Sequence, residues 1–222
     1  MKTFIYLLLL IIPVLTFSQD TENEKVSFKK KDKLFLGYVA AGFNLNQIDG
    51  DRSAGYNNIG ANVGIGAFIT YSKKFSNSLE ISYSMKGAKS SFNYRKSHPG
   101  YFSYQMDYIE IPLLFNYHDF KVAIFHIGAS YSNTIRTKFM IQQSNVLIPY
   151  HTWNLDMVVG FTFLIKEHWG LNFKYNYSML NNLKNGSNRG NLISQPAKNS
   201  SSTNGILNWY HNTLTFRAMY IF

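Results

Sequence analysis

Six histidines and no cysteine bound the chemistry open to this chain. Without thiols there is no disulfide scaffold, no thiolate zinc site and no lipid-anchored N-terminal cysteine. His98, His118, His151, His168 and His211 read as loop or turn residues without ligand spacing. His126 differs, because alternation puts it on one face of an extended segment with Ser130. A Ser–His pair becomes a nucleophile and base only when a third group, usually a carboxylate, orients the base. No carboxylate stands at a matching position. There is no HExxH, no Walker loop and no dinucleotide fingerprint. The expectation is no catalytic residue, no metal and no cofactor. His126 and Ser130 are kept as the enzymatic alternative, a lipid-modifying membrane enzyme.

Six charged residues fall on otherwise polar faces of alternating segments. Glu80, Glu110, Lys174 and Arg217 are expected toward one end of those segments, and Lys86 and Asp156 toward the other. Opposite charges in a narrow interior pair, because an unpaired buried charge is costly. The two readings are an acid/base or ligand site and a structural salt-bridge plug, and the plug is favoured. A separate basic set, Lys184, Arg189 and Lys198, lies in Leu180–His211, a segment rich in Asn and Ser with no acidic residue. It reads as an external loop able to contact polysaccharide, lipopolysaccharide phosphates or a partner protein.

The elements that must position these residues show a period of two. Leu171, Phe173, Tyr175 and Tyr177 alternate with Asn172, Lys174, Asn176 and Ser178. Leu79, Ile81, Tyr83 and Met85 alternate with Glu80, Ser82, Ser84 and Lys86. The same pattern runs from Ile59, from Leu155 and through Leu214–Phe222, with Phe68 as an exception. It is less clean in Leu34–Leu45, Tyr108–Tyr117 and Lys121–Ser132. Side chains of a strand point to alternate faces, so these are eight strands of roughly 10 to 14 residues. That length suits a tilted bilayer crossing of about 9 to 11 residues.

Connections alternate between long (about Gln47–Asn57, Ser91–Gln105, Thr137–Thr152 and Leu180–His211) and short (Lys73–Ser76, His118–Phe120 and Lys166–Trp169). Outer-membrane barrels have short periplasmic turns and long external loops. Tyr71, Phe75, Tyr117, Phe120, Trp169 and Phe222 sit at the short-turn end. Tyr56, Tyr104, Trp153, Trp209 and Tyr210 sit at the other, as two interfacial girdles would. An open edge cannot face lipid, so the last strand must pair with the first. The fold expected is all-β, an eight-stranded antiparallel up-and-down transmembrane barrel over 34–222. A soluble periplasmic lipocalin-like binder is the alternative. A water-free centre in which Phe173, Tyr175, Phe161 and Phe216 meet would overturn the barrel.

Residues 1–18 read as a signal peptide. Lys2 gives a positive start, Phe4–Leu15 an apolar run, and Thr16-Phe17-Ser18 a small-residue cleavage site. Residues 19–33 are a polar periplasmic segment. The formal charge is +10 with a sequence pI near 9.6, yet the basic residues are scattered, with one run at Lys29–Lys31. Nucleic acid is therefore not an expected partner.

Three stretches carry a family resemblance. They are Gly42–Asp51 with Gly55 and Tyr56, Glu80–Ala88, and Asp107–Leu114. They resemble the PorT-like outer-membrane β-barrel family. The resemblance implies an outer-membrane location and supplies no catalytic residues. It implies a non-enzymatic envelope role, linked through the name-giving member to protein secretion. The expected partners are outer-membrane lipid and lipopolysaccharide, an envelope or secretion protein, and the insertion machinery that reads a C-terminal strand ending in Phe222.

Overall fold

The computed structural model describes residues 34–49, 55–90, 102–119, 122–141, 144–145, 150–182 and 209–222. The signal-peptide reading, the 19–33 segment, Phe120, Lys184, Arg189 and Lys198 lie outside the described residues. Nine strands follow in order: β1 Phe35–Asp49, β2 Asn58–Thr70, β3 Phe75–Lys89, β4 Phe102–Asp119, β5 Ala123–Ile141, β6 Ser144–Asn145, β7 Trp153–Leu164, β8 Trp169–Ser178 and β9 Tyr210–Ile221. All except the two-residue β6 wall the barrel. Each pairs antiparallel with its neighbour, and β1 closes on β9 with Tyr38 opposite Ile221 and Asp49 opposite Tyr210. Closure leaves no edge to the hydrocarbon. β4 and β5 are longer than expected, at 18 and 19 residues. β6 pairs only with the far end of β5.

The alternation sorts as a membrane barrel requires. Ile59, Val63 and Ile65 of β2 face outward and are exposed, Ile65 to 63%. Asn58, Asn62, Ser82, Ser84, Asn172 and Thr215 face inward and are buried. A soluble barrel such as a lipocalin has the opposite sorting, so that alternative falls. The aromatic residues meet on the outside. Phe43, Phe216, Phe173, Phe161 and Phe125 stand in register across β1, β9, β8, β7 and β5. Successive ring centroids from Phe43 to Phe161 are 5.4, 5.3 and 5.0 Å apart.

Two features correct the expectation of a lumen polar throughout. At the short-turn end Leu36, Tyr38, Ala40, Phe68, Ile124, Leu164, Met219 and Ile221 form an inward apolar cluster. Phe68, the exception to its strand's pattern, is a member, tilted against Tyr38 at 4.8 Å. At the long-loop end Ile48, Ala88, Tyr104, Met106, Tyr108, Phe139 and Trp209 form a second. Tyr104 and Trp209 are therefore not girdle residues. They are buried, with ring centroids 5.0 Å apart. Trp153 does remain outward and exposed. The apolar clusters bury side chains that could not have reached lipid without breaking the alternation of their strands.

A bulge supplies part of the upper cluster. Asp107 pairs with Arg136, but Tyr108 pairs with Thr134, so Ile135 is an extra residue in β5. Ile135 and Arg136 are both exposed, and beyond them the phase of the strand is reversed. Phe139 consequently points inward against Tyr104 and Tyr150. A bulge that re-aims side chains in this way is a device rather than a defect.

Candidate functional site

The six charged residues meet in the middle of the barrel, between the two apolar clusters. Glu80 on β3 is 2% exposed. Arg217 on β9 donates to it with two nitrogens, Nη1 to Oε1 at 2.6 Å and Nη2 to Oε2 at 3.0 Å. Such a fork is the strongest carboxylate geometry available. Tyr38 donates its hydroxyl to Oε2 at 2.9 Å, and Lys174 Nζ lies 3.3 Å from Oε1. The rest of the guanidinium is also engaged. Nε and Nη2 donate to Asn172 Oδ1 at 3.0 and 2.8 Å, and Nη1 to Asn62 Oδ1 at 3.1 Å.

Glycines make the room. A Cβ at Gly64 would lie 2.9 Å from Glu80 Oε1, and one at Gly66 would lie 2.6 Å from Tyr38 Oη. Only residues without a side chain let the carboxylate and the phenol approach the β2 backbone this closely.

The second cluster lies on the long-loop side. Lys86 Nζ is 2.6 Å from Glu110 Oε1 and 2.5 Å from Asp156 Oδ2. Asn154 donates to Asp156 Oδ1 at 2.8 Å. The Lys86 ammonium sits 5.5 Å from the centre of the Tyr108 ring. Glu110 thus belongs with Lys86 and Asp156, not at Glu80's end of the barrel as its position along β4 suggests. Two carboxylates to one ammonium leave this cluster at −1, and two cations to one carboxylate leave the Glu80 cluster at +1. Each removes the other's excess. A neutral interior is what a low-dielectric barrel needs, since an uncompensated ion costs several kcal/mol.

His126 is also committed. Its Nδ1 is 2.7 Å from Asn116 Oδ1, an acceptor, so Nδ1 carries the proton. Nε2 then accepts from the Thr162 hydroxyl at 2.7 Å. Ser130 is four residues along the same strand, roughly 13 Å away, and its hydroxyl has no hydrogen-bond partner among the described residues. The two residues share a face but not a hydrogen bond. The arrangement fixes an imidazole and activates no nucleophile. His211 is a strand residue and not the loop residue its position in the sequence suggests. It lies within β9, faces inward and is 1% exposed, with Nε2 3.0 Å from the Tyr108 hydroxyl. His118 closes β4 rather than a turn, its Nε2 2.7 Å from Ser76 Oγ.

Among the described residues one ion pair faces outward. Arg136 Nε donates to Asp107 Oδ2 at 2.7 Å, and Gln105 Nε2 donates to Asp107 Oδ1 at 3.1 Å. Alternation along β4 puts Asp107 on the outer face, whereas Arg136 reaches it only because the bulge at Ile135 reverses the phase of β5.

The sequence matches the family described as outer membrane protein beta-barrel domain over residues 17–185. No curated protein sequence matches it. Among solved structures, Ail, the attachment invasion locus protein of Yersinia pestis, in complex with the heparin analogue sucrose octasulfate, is 10% identical. It has a TM-score of 0.48 and covers 86% of this chain and 100% of that one. Neisserial surface protein A is 11% identical with a TM-score of 0.47, covering 86% and 98%. OprG from Pseudomonas aeruginosa is 11% identical with a TM-score of 0.38, covering 85% and 94%.

Proposed function

The chain belongs to the outer membrane protein beta-barrel domain family, and we propose that within it this is a non-enzymatic barrel that works by contact at the cell envelope. It sits in the outer membrane with its long connections outside. Its surface meets lipopolysaccharide and an envelope protein. The PorT-like stretches make a secretion component the kind of protein partner to test first. Export is through the cleaved segment 1–18.

The observation that carries this reading is the occupied lumen. Six charges neutralise one another there, and apolar side chains fill both ends. An eight-stranded barrel is just wide enough for side chains to fill it. Among the described residues each of the six lumenal charges is paired, which favours an interior that holds the barrel together over one that transports or performs acid/base chemistry.

The test is refolded protein in planar bilayers. The expected result is heat-modifiable migration on a gel with negligible conductance. Large, steady conductance overturns the reading. A detergent-solubilised pull-down comparing the native chain with one shortened between 183 and 208 then asks whether the long connection selects the protein partner.

A further inference from the structure

On β4, Phe115, Leu113, Ile111 and Ile109 face outward in turn, and on β5 so do Phe125, Ile127, Ala129 and Tyr131. These apolar columns lie in hydrocarbon. The outward positions that follow them toward the long loops are Asp107 and Gln105 on β4, and Asn133, Ile135, Arg136 and Lys138 on β5. On β3 the outward column Leu79, Ile81, Tyr83 and Met85 ends at Lys89. These polar side chains therefore stand at headgroup level of the outer leaflet.

The bulge creates this patch. Ser130, Ser132 and Thr134 alternate inward, and an unbroken strand would send Arg136 and Lys138 into the lumen after them. The extra residue Ile135 turns both cations out. Asp107 is 1% exposed while Arg136 is 66% exposed, so the carboxylate is covered by the guanidinium it orients. Lys138 stands opposite Gln105, and Lys89 opposite Ser103. Three cations against one carboxylate leave the patch at +2. Among the described residues the opposite wall carries no cation at this height: it presents Tyr177, Asn212 and Tyr210, with the carboxylate of Asp49 opposite Tyr210. Cations clustered beside the apolar zone attract anionic headgroups, and arginine suits phosphate geometry in particular.

We propose that Arg136, Lys138 and Lys89 form a binding site for the phosphate groups of outer-leaflet glycolipid, holding that lipid against β3–β5. The inference rests on the orientation given under Proposed function, long connections outside. The experiment measures lipopolysaccharide retained by the full mature chain through detergent purification. The native chain is compared with Arg136→Gln/Lys138→Gln/Lys89→Gln and with a control, Lys73→Gln/Lys74→Gln, altered in the short turn after β2. Retention is expected to fall about fivefold per cation removed from the patch, and to be unchanged in the control. Dephosphorylated lipopolysaccharide is expected to bind the native chain as weakly as intact lipid binds the triple variant. Inorganic phosphate alone is expected to displace little lipid. Gel migration verifies folding, and Lys138→Gln alone carries the test if the triple variant does not fold. Equal retention by all variants, equal binding of dephosphorylated lipid, efficient displacement by inorganic phosphate, or an equal loss in the control each overturns the proposal.

The premise has its own test, helped by a chain with no cysteine. Ser201→Cys is expected to react with a membrane-impermeant thiol reagent on intact cells. Labelling together with unchanged retention overturns the lipid site alone. Absence of labelling overturns the orientation and the site with it.

Discussion

Glu80–Arg217 and Asp107–Arg136 are the same chemical pair in two settings. The first faces the lumen, where the exposure of each side chain is 1%. Its guanidinium also satisfies Asn62 and Asn172, and its carboxylate also takes Tyr38 and Lys174. The second lies on the outer wall with Arg136 largely in the open. Buried, the pair is one part of a network in which every member depends on the others. Exposed, it is a local arrangement that orients one cation. The face of the strand, not the residue types, decides whether a salt bridge is structural or available for contact.

The largest expected effect breaks the buried side. Arg217→Met removes the fork and leaves Glu80 with Lys174 and Tyr38 alone, while Asn62 and Asn172 lose their donor. Removing one partner of such a pair costs about 3–5 kcal/mol. Urea unfolding in lipid vesicles, read by gel migration, should show that loss. A variant as stable as the native chain would mean the cluster is not structural. A paired change, Glu80→Leu with Arg217→Leu, takes Glu80 from Lys174 but keeps the six-residue charge sum at zero, whereas Arg217→Met leaves it at −1, so the paired change should cost less than Arg217→Met.

Next comes the space the network needs. Gly66→Ala places a methyl 2.6 Å from both Tyr38 Cζ and Oη and 2.8 Å from the Leu79 carbonyl oxygen. The phenol must withdraw from Glu80, at a cost of about 1–3 kcal/mol for overpacking. Tyr38→Ala removes both phenol atoms that the methyl would meet and should relieve that part of the loss, the approach to the Leu79 carbonyl oxygen remaining. Additive losses in the double variant would show that the clash lies elsewhere.

His126→Ala is smaller in reach and separates structure from chemistry. Asn116 Oδ1 and the Thr162 hydroxyl each lose a 2.7 Å partner but keep Ser78 Oγ at 3.4 Å and Asn172 Nδ2 at 2.8 Å, so the loss should be about 1 kcal/mol. The lipid composition of the envelope should not change. Altered acyl chains or headgroups would restore the enzymatic alternative.

How far the sequence foretold this depends on what each property needs. Strand existence and inner or outer face are local, because period two is written into each segment. Leu171–Ser178 and Leu79–Lys86 sorted as read. The grouping of charges is not local. Glu110 stands opposite Ser82 and Ser132, and strand stagger, invisible in a single segment, brings Lys86 to it. The bulge at Ile135 has no glycine to announce it, so the inward turn of Phe139 and the outward turn of Arg136 were hidden. Tyr104 and Trp209 looked like interfacial aromatics because their height was legible and their direction was not.

The smallest effect is expected at the exposed pair, and it is the one that tests the comparison most closely. Arg136→Gln removes the partner of a buried carboxylate, which by itself resembles Arg217→Met. The difference is what remains. Gln105 still donates to Asp107 at 3.1 Å, a glutamine amide can donate in place of the guanidinium, and water reaches the wall where Arg136 now lies. Exposed ion pairs contribute little once solvent can take over. Unfolding of Arg136→Gln in vesicles without lipopolysaccharide should therefore match the native chain, while Arg217→Met does not. If the two variants lose equal stability, the face of the strand has no such authority over its charges. Arg136 would then be a structural residue rather than one held out for contact.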